Sequence, residues 1–277
     1  MSLPPGHYSH YKGQKKVCKL KKSLYGLKQA SRQWFSKFTE SIEFFGFKQS
    51  LHVYSLFTYD KDDIFLILLV YVNDVVITGT STKLIQQIKD FINKAFKIKD
   101  LGFLKYFLGF EVAISESGIF INQRKYALDL LSDVVMMDYK PSVIPMDTKH
   151  KLSLSEAELL PDPTVYRRLV GKLIYLTVTR PDLAYSVHIL SQFMSKPTSD
   201  HMTAAHRVLR YIKAAPSQGL FFNTDSKLIF QAYCDADWVA FPVTRRYLTR
   251  FLCTPWEFFD RLENQEINYS FKIISRK

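Results

Sequence analysis

The chain has 277 residues, enough for one large domain or two smaller ones. It is 47% hydrophobic and 15% aromatic, which excludes an intrinsically disordered chain; its longest strongly apolar run, Ile64–Val72, falls far short of a bilayer span. The formal net charge of +12 favours a polyanionic partner. The charge is uneven. Met1–Thr39 has no acidic residue but carries Lys12, Lys15, Lys16, Lys19, Lys21, Lys22, Lys28, Arg32 and Lys37. Such a run reads either as a solvated basic face or arm, or as the electrostatic footprint of nucleic-acid contact. Cys18, Cys234 and Cys253 show neither metal-ligand spacing nor an even-numbered disulfide framework, which suits a reducing compartment. No secretory apolar segment opens the chain, so a cytoplasmic or nuclear location without a membrane partner is expected.

In chain order, Met1–Gln14 has no period and reads as a loop or a cut end. Val17–Leu20 reads as a short strand. Ser31 is a candidate cap for a helix whose Trp34, Phe38, Ile42 and Phe45 recur at steps of three and four, with Gly46 as its stop. Leu56–Tyr59 and Ile64–Val72 predict strands joined by Asp60–Asp63, and Val75–Thr78 predicts a third, ended by Gly79. Ser81 or Thr82 caps a helix with a broad apolar face from Leu84 to Phe96. Tyr106–Ile114 and Ile119–Gln123 predict a second hairpin, and Arg124–Met137 a helix. Asp138–Pro163, with four prolines, is the candidate linker. Helices are then expected over Thr164–Val178, from Pro181 to about Met194, and over His201–Ala214, followed by strands at Leu220–Phe222 and Leu228–Tyr233. His188 and His206 fall within these helices without ligand spacing and read as ordinary helix residues.

The most informative stretch is Tyr71-Val72-Asn73-Asp74, between two apolar runs. On residue types alone Asn73-Asp74 is a good hairpin tip, since both residues tolerate positive φ. The chemical reading comes from a resemblance. Leu24–Trp34 (LYGLKQASRQW) resembles the LYGLKQAPRxW block of Ty1/copia-type retrotransposon reverse transcriptases, with Ser31 where that family has Pro. Tyr71–Gly79 resembles the family's YVDDIIITG, Leu104–Val112 its primer-grip segment, and Tyr166–Arg180 with Pro181 and Asp182 its connection toward ribonuclease H. Tyr233–Trp238 and Thr244–Arg246 resemble the opening of its ribonuclease H domain; after Cys253 the likeness ends.

The resemblance implies an α+β fold: a right-hand polymerase palm and fingers remnant with helical thumb and connection, plus opening strands of a ribonuclease H-like module. It divides the chain into residues 1–137 (truncated fingers and palm with the start of the thumb), 138–163 (linker), 164–222 (helical connection), 223–253 (start of ribonuclease H) and an unrelated tail, 254–277. It implies RNA-directed DNA polymerisation with two Mg²⁺ ions on an RNA or DNA template-primer. By the resemblance, Asp74 is a remnant catalytic and metal residue and Asn73 stands where a principal aspartate ligand belongs. Asp235 is the corresponding ribonuclease H remnant. Gln29, Lys28 and Tyr71 match nucleotide-pocket positions, and Lys19, Lys21, Lys22 and Arg32 are candidates for nucleic-acid contact. Leu104, Tyr106 and Phe107 are expected to pack a core.

Leu3–His7 resembles the segment after the family's early palm aspartate, and no acid precedes Glu40. An asparagine amide offers a metal an oxygen but no charge. The expected outcome is therefore a very weak metal site and an inactive copy of the enzyme. The alternatives are a residual nucleic-acid-binding module, or a non-functional pseudogene product. Loss of a central palm strand would leave an unpaired edge beside Ile64–Val72.

Overall fold

The computed structural model describes residue 19 and residues 29–72, 74–147, 152 and 157–224, together with the backbone of strands over 231–237, 248–254 and 272–276. The chain divides into two units, residues 1–103 with 267–277, and residues 104–266.

Helix α1 (Ala30–Phe45) opens the described part of the first unit. Gln29 already holds helical dihedrals (φ −98°, ψ −4°), so the helix starts ahead of Ser31, which sits inside the first turn instead of capping it. Gly46 stops the helix as expected: at φ 112° its N–H reaches the carbonyls of Ile42 and Glu43. Strands β1 (Lys48–Gln49), β2 (Leu56–Lys61), β3 (Ile64–Tyr71) and β4 (Asp74–Gly79) follow as an antiparallel meander. The β2–β3 turn is tighter than predicted. Only Asp62 and Asp63 form it, both at positive φ (52° and 58°), which suits the twist of a two-residue hairpin.

Helix α2 (Thr82–Phe96) is capped by the Ser81 hydroxyl, which accepts from the Leu84 N–H at 3.3 Å. Strand β5 (Ile98–Phe103) follows at once. Leu66, Leu68 and Val70 of β3 alternate toward one face and are paired with Gly79, Ile77 and Val75 of β4. Phe38 and Ile42 of α1 and Ile85, Ile88 and Ile92 of α2 join the core built on that face, all of them shut off from solvent. Each such buried side chain contributes about 1.5–3 kcal/mol, so this meander and its two helices cohere as one core.

The second unit begins with β6 (Tyr106–Phe107), β7 (Phe110–Ser115) and β8 (Gly118–Asn122). The predicted continuous strand over Tyr106–Ile114 is broken at Leu108 and Gly109, whose φ values of 51° and 81° turn β6 back onto β7. Helix α3 (Arg124–Asp133) ends before the expected Met137, and Val135 is left-handed at φ 54°. Helix α4 (Pro163–Leu176) starts where the Asp162 carboxylate accepts from the Thr164 N–H at 2.8 Å. Pro181 opens a single 3-10 turn that feeds α5 (Ala184–Ser191), followed by α6 (Ser199–Ala214). These four helices enclose a core that includes Leu130, Leu131, Tyr166, Leu173, Leu190, Val208 and Ile212. Strand β9 (Gly219–Asn223) completes the sheet β6-β7-β8-β9. Strands β10 (Gln231–Asp237) and β11 (Leu248–Thr254) pair with each other; β10 overlaps the predicted Leu228–Tyr233 strand over 231–233 and runs on to Asp237, while residues 228–230 lie outside the described residues.

The last strand, β12 (Lys272–Arg276), belongs to the first unit, whose sheet order is β1-β2-β3-β4-β12-β5. The free edge expected beside Ile64–Val72 is absent, because β3 is paired on both sides, by β2 and by β4. Among the described residues the protein is mixed α+β, with six α-helices and antiparallel sheets. No helix among them is long and apolar enough to cross a membrane.

Candidate functional site

The site grows out of the β3–β4 hairpin. The ladder closes on the pair Tyr71↔Asp74, and Val72 follows the end of β3. Asp74, expected at the polar tip with Asn73, is thus drawn into the ladder. Asp74 is the first residue of β4, and the left-handed position falls to Val72 at φ 52°. A β-branched residue there costs roughly 1–2 kcal/mol. Val72 is 63% exposed, so little packing offsets that strain. Asn73 lies outside the described residues.

Asp74 is half-buried and Tyr71 is exposed. On its other side Asp74 is in register with Ser275 of β12. The strand flanking the hairpin (KIISR) therefore carries no carboxylate. Two-metal chemistry places a pair of cations roughly 3.5–4 Å apart. Mg²⁺ sites draw on carboxylate oxygens. Among the described residues no group of three His, Cys, Asp or Glu side chains is placed to hold a metal ion. Asp74 alone does not fit a pair of divalent ions.

The other predicted residues lie on separate elements. Gln29 is exposed at the start of α1, where its carbonyl accepts from the Gln33 N–H at 3.0 Å. Arg32 is exposed one turn in, and Lys19 is exposed. Lys21, Lys22 and Lys28 fall outside the described residues. Asp235 sits in β10 in register with Arg250; the description there is of backbone alone. Tyr106, expected in a core, is 49% exposed on β6, and Leu104 and Phe107 are half-buried, because among the described residues the two-residue β6 pairs only with β7.

Two motif residues have structural roles that sequence reading missed. A Cβ on Gly79 would lie 2.4 Å from the Phe65 carbonyl oxygen and 2.3 Å from Leu66 Cδ2, so only glycine lets β4 close onto β3 there. Arg180, 1% exposed, grips Asp182 with Nε–Oδ1 at 3.0 Å and Nη2–Oδ2 at 2.9 Å. It also donates from Nη1 to the Ala215 carbonyl at 2.8 Å and lies over the Tyr211 ring. Burial pushes the Asp182 carboxyl up, but the hydrogen bonds and charge of Arg180 outweigh it and hold the group below the usual carboxylate range. The sequence shows only the Arg180-Pro181-Asp182 spacing; the burial that makes it a clamp comes from the tertiary structure. Lys89 is a further case: buried on α2, it pairs with Asp100 of β5.

Residues 1–148 match the family described as reverse transcriptase (RNA-dependent DNA polymerase). The chain is 43% identical over 238 residues to the retrovirus-related Pol polyprotein from transposon RE2 of Arabidopsis thaliana, covering 86% of this chain and 16% of that polyprotein. Identity to the polyprotein from transposon RE1 of the same plant is 42% over 238 residues, with the same two coverages, 86% and 16%. The chain belongs to the Ty1/copia retrotransposon reverse transcriptases. An uncharacterized mitochondrial protein of Arabidopsis thaliana is 43% identical over 187 residues, covering 68% of this chain and 77% of that protein. No solved structure matches. The chain spans 16% of the length of these two transposon Pol polyproteins. Reverse transcriptases use Mg²⁺, and the described residues of this member do not assemble the carboxylates that would hold it.

Proposed function

We propose that this chain is a reverse transcriptase remnant that keeps the hairpin and helical framework of a right-hand polymerase but does not catalyse nucleotidyl transfer. In this reading β2–β4 with α1 and α2 form the palm and fingers remnant, and α3–α6 the thumb and connection. One observation carries the reading. Asp74 is flanked on β12 by Ser275, and no carboxylate stands beside it in the sheet register. Asn73, next in sequence, supplies a neutral amide at the position where the family has an aspartate. Metal-held electrostatics dominate phosphoryl-transfer chemistry, so loss of the charges that hold the metals removes orders of magnitude of rate. We assign no catalytic step to the residues present.

The test is primer extension on a poly-rA template with Mg²⁺ or Mn²⁺. The native chain is expected to extend no primer above a no-protein control. Template-dependent extension by the purified chain would overturn the reading.

A second reading, retained nucleic-acid binding, rests on the nine positive and no negative residues of Met1–Thr39. Binding to a template-primer should then weaken steeply with salt, each neutralised phosphate adding about 0.7–0.9 to the slope of log K against log salt. Binding that ignores salt, or none at low salt, counts against it.

A further inference from the structure

We propose that Lys272–Arg276 fills the slot between β4 and β5 and that folding of the first unit depends on it. Strand β12 is antiparallel to β4 and to β5, so those two run parallel to each other. They are joined through α2 as a crossover, and parallel partners joined this way need not be neighbours. Here they are not: one strand's width separates them, and β12 occupies it.

The occupant is what ties the sheet together. Its register runs Lys272↔Ile77, Ile273↔Val76, Ile274↔Val75 and Ser275↔Asp74 on one side. On the other it runs from Lys272↔Phe103 to Arg276↔Ile98, with a bulge between Ile273 and Ile274. Among the described strands β5 is at the sheet's end and has β12 as its neighbour there. Without β12 the ladder that holds β5 is gone, and β4 loses its partner on one side. That strand is among the most buried in the unit, with Val75 and Ile77 at 0% exposure and Val76 and Thr78 at 8%. Buried backbone groups left without partners are costly, so an empty gap is not a stable alternative.

The segment is suited to the slot. KIISR has adjacent β-branched residues, no glycine and no proline. It comes from outside the family match at residues 1–148 and beyond Cys253, where the motif resemblance ends. It completes the sheet without adding a metal ligand beside Asp74, since it brings Ser275, not an acid, opposite that residue. The proposal concerns folding and stands whether or not the chain is a dead polymerase.

Hydrogen exchange by mass spectrometry tests it, comparing the full chain, a chain ending at Glu266, and full-length Ile274→Pro. Proline removes the backbone N–H at the register position shared by Val75 and Asp100. In the full chain, amides of 272–276 should exchange more than about tenfold slower than an unstructured peptide. In the truncated chain and in Ile274→Pro, residues 98–103 should lose protection and residues 74–79 should exchange more than about tenfold faster, with α4–α6 unchanged as the internal control. A synthetic peptide of residues 267–277 added in excess should restore protection over 98–103 of the truncated chain. Exchange of 272–276 at the unstructured rate in the full chain, or unchanged protection of 98–103 in both variants, overturns the proposal. If the truncated chain is insoluble, full-length Ile274→Pro and the protection of 272–276 decide alone.

Discussion

Replacing Asp182 with alanine would strand the guanidinium of Arg180 in the helical core. Three of the carboxylate's close contacts vanish together: Nε to Oδ1 at 3.0 Å, Nε to Oδ2 at 3.3 Å and Nη2 to Oδ2 at 2.9 Å. The charge left behind is 1% exposed. Breaking a buried ion pair from one side costs about 3–5 kcal/mol, mostly because the remaining ion is uncompensated. The low end, about 3 kcal/mol, applies here, since the Asp182 side chain is itself 27% exposed, and the Ala215 carbonyl and Tyr211 ring still face the guanidinium. At 1.4 kcal/mol per decade, about 3 kcal/mol is a roughly hundredfold acceleration of amide exchange in α4–α6 when opening of this unit limits exchange. Hydrogen exchange at neutral pH reads that directly and leaves the first unit as a control. Removing both charges, as Arg180→Met with Asp182→Ala, should be less damaging than the sum of the single changes by about 1–3 kcal/mol, because no ion is left stranded. The native pair should also weaken in acid. Its carboxyl lies below the ordinary range when folded, so the unfolded chain takes up the proton first. The contribution is whole above about pH 4 and is lost as pH falls through the lower folded value. An Asp182→Ala effect smaller than about threefold would mean that water reaches Arg180, and would refute the clamp.

Three further outcomes are expected. Val72→Asn should stabilise the first unit by about 1 kcal/mol in urea unfolding, because asparagine accepts the left-handed loop position that valine resists; a loss of stability would contradict the strain. Gly79→Ala should destabilise the same unit by about 2–3 kcal/mol, since the added carbon collides with the Phe65 carbonyl, whose strand cannot shift without breaking the β3–β4 ladder. A neutral melt by circular dichroism settles it. The helical unit should melt at lower temperature at about pH 5.5 than at about pH 7.5. Burial holds His201 and His206 below the usual histidine range, so as pH falls through about 6.5 the unfolded state binds protons first and stability declines. The His201 Nδ1 accepts from the Thr198 N–H at 2.8 Å, a bond that a protonated ring gives up. His201→Gln should flatten the pH dependence, and a melting temperature that rises on acidification would refute it.

What was legible in advance was what local pattern controls. The steps of three and four in Trp34, Phe38 and Ile42 specify α1, the alternation of Leu66, Leu68 and Val70 specifies the core face of β3, and Gly46 and Ser81 mark where helices end and begin. Each of those signals depends on neighbours within a turn or two. The ordered motifs from Leu24 to Arg246 likewise carried the family by themselves. Boundaries slipped where backbone dihedrals and strand register, not residue type, decided them, as at Gln29, where helical dihedrals carried α1 back past Ser31, and at Asp74, which the closing Tyr71↔Asp74 pair drew into the ladder.

The sequence by itself determined the family, the core faces of the hairpin and helices, and the neutral residue at Asn73, because those are written in residue identity and short-range period. Only the tertiary structure decided that Gly79 is required by the approach of Phe65, that Arg180 is a buried clamp, and that β12 stands between β4 and β5 with Ser275 opposite Asp74. Those depend on which distant segments meet. Strand pairing and burial are set by the free energy of the whole assembled core, to which a five-residue segment such as KIISR contributes no local signal of its partner.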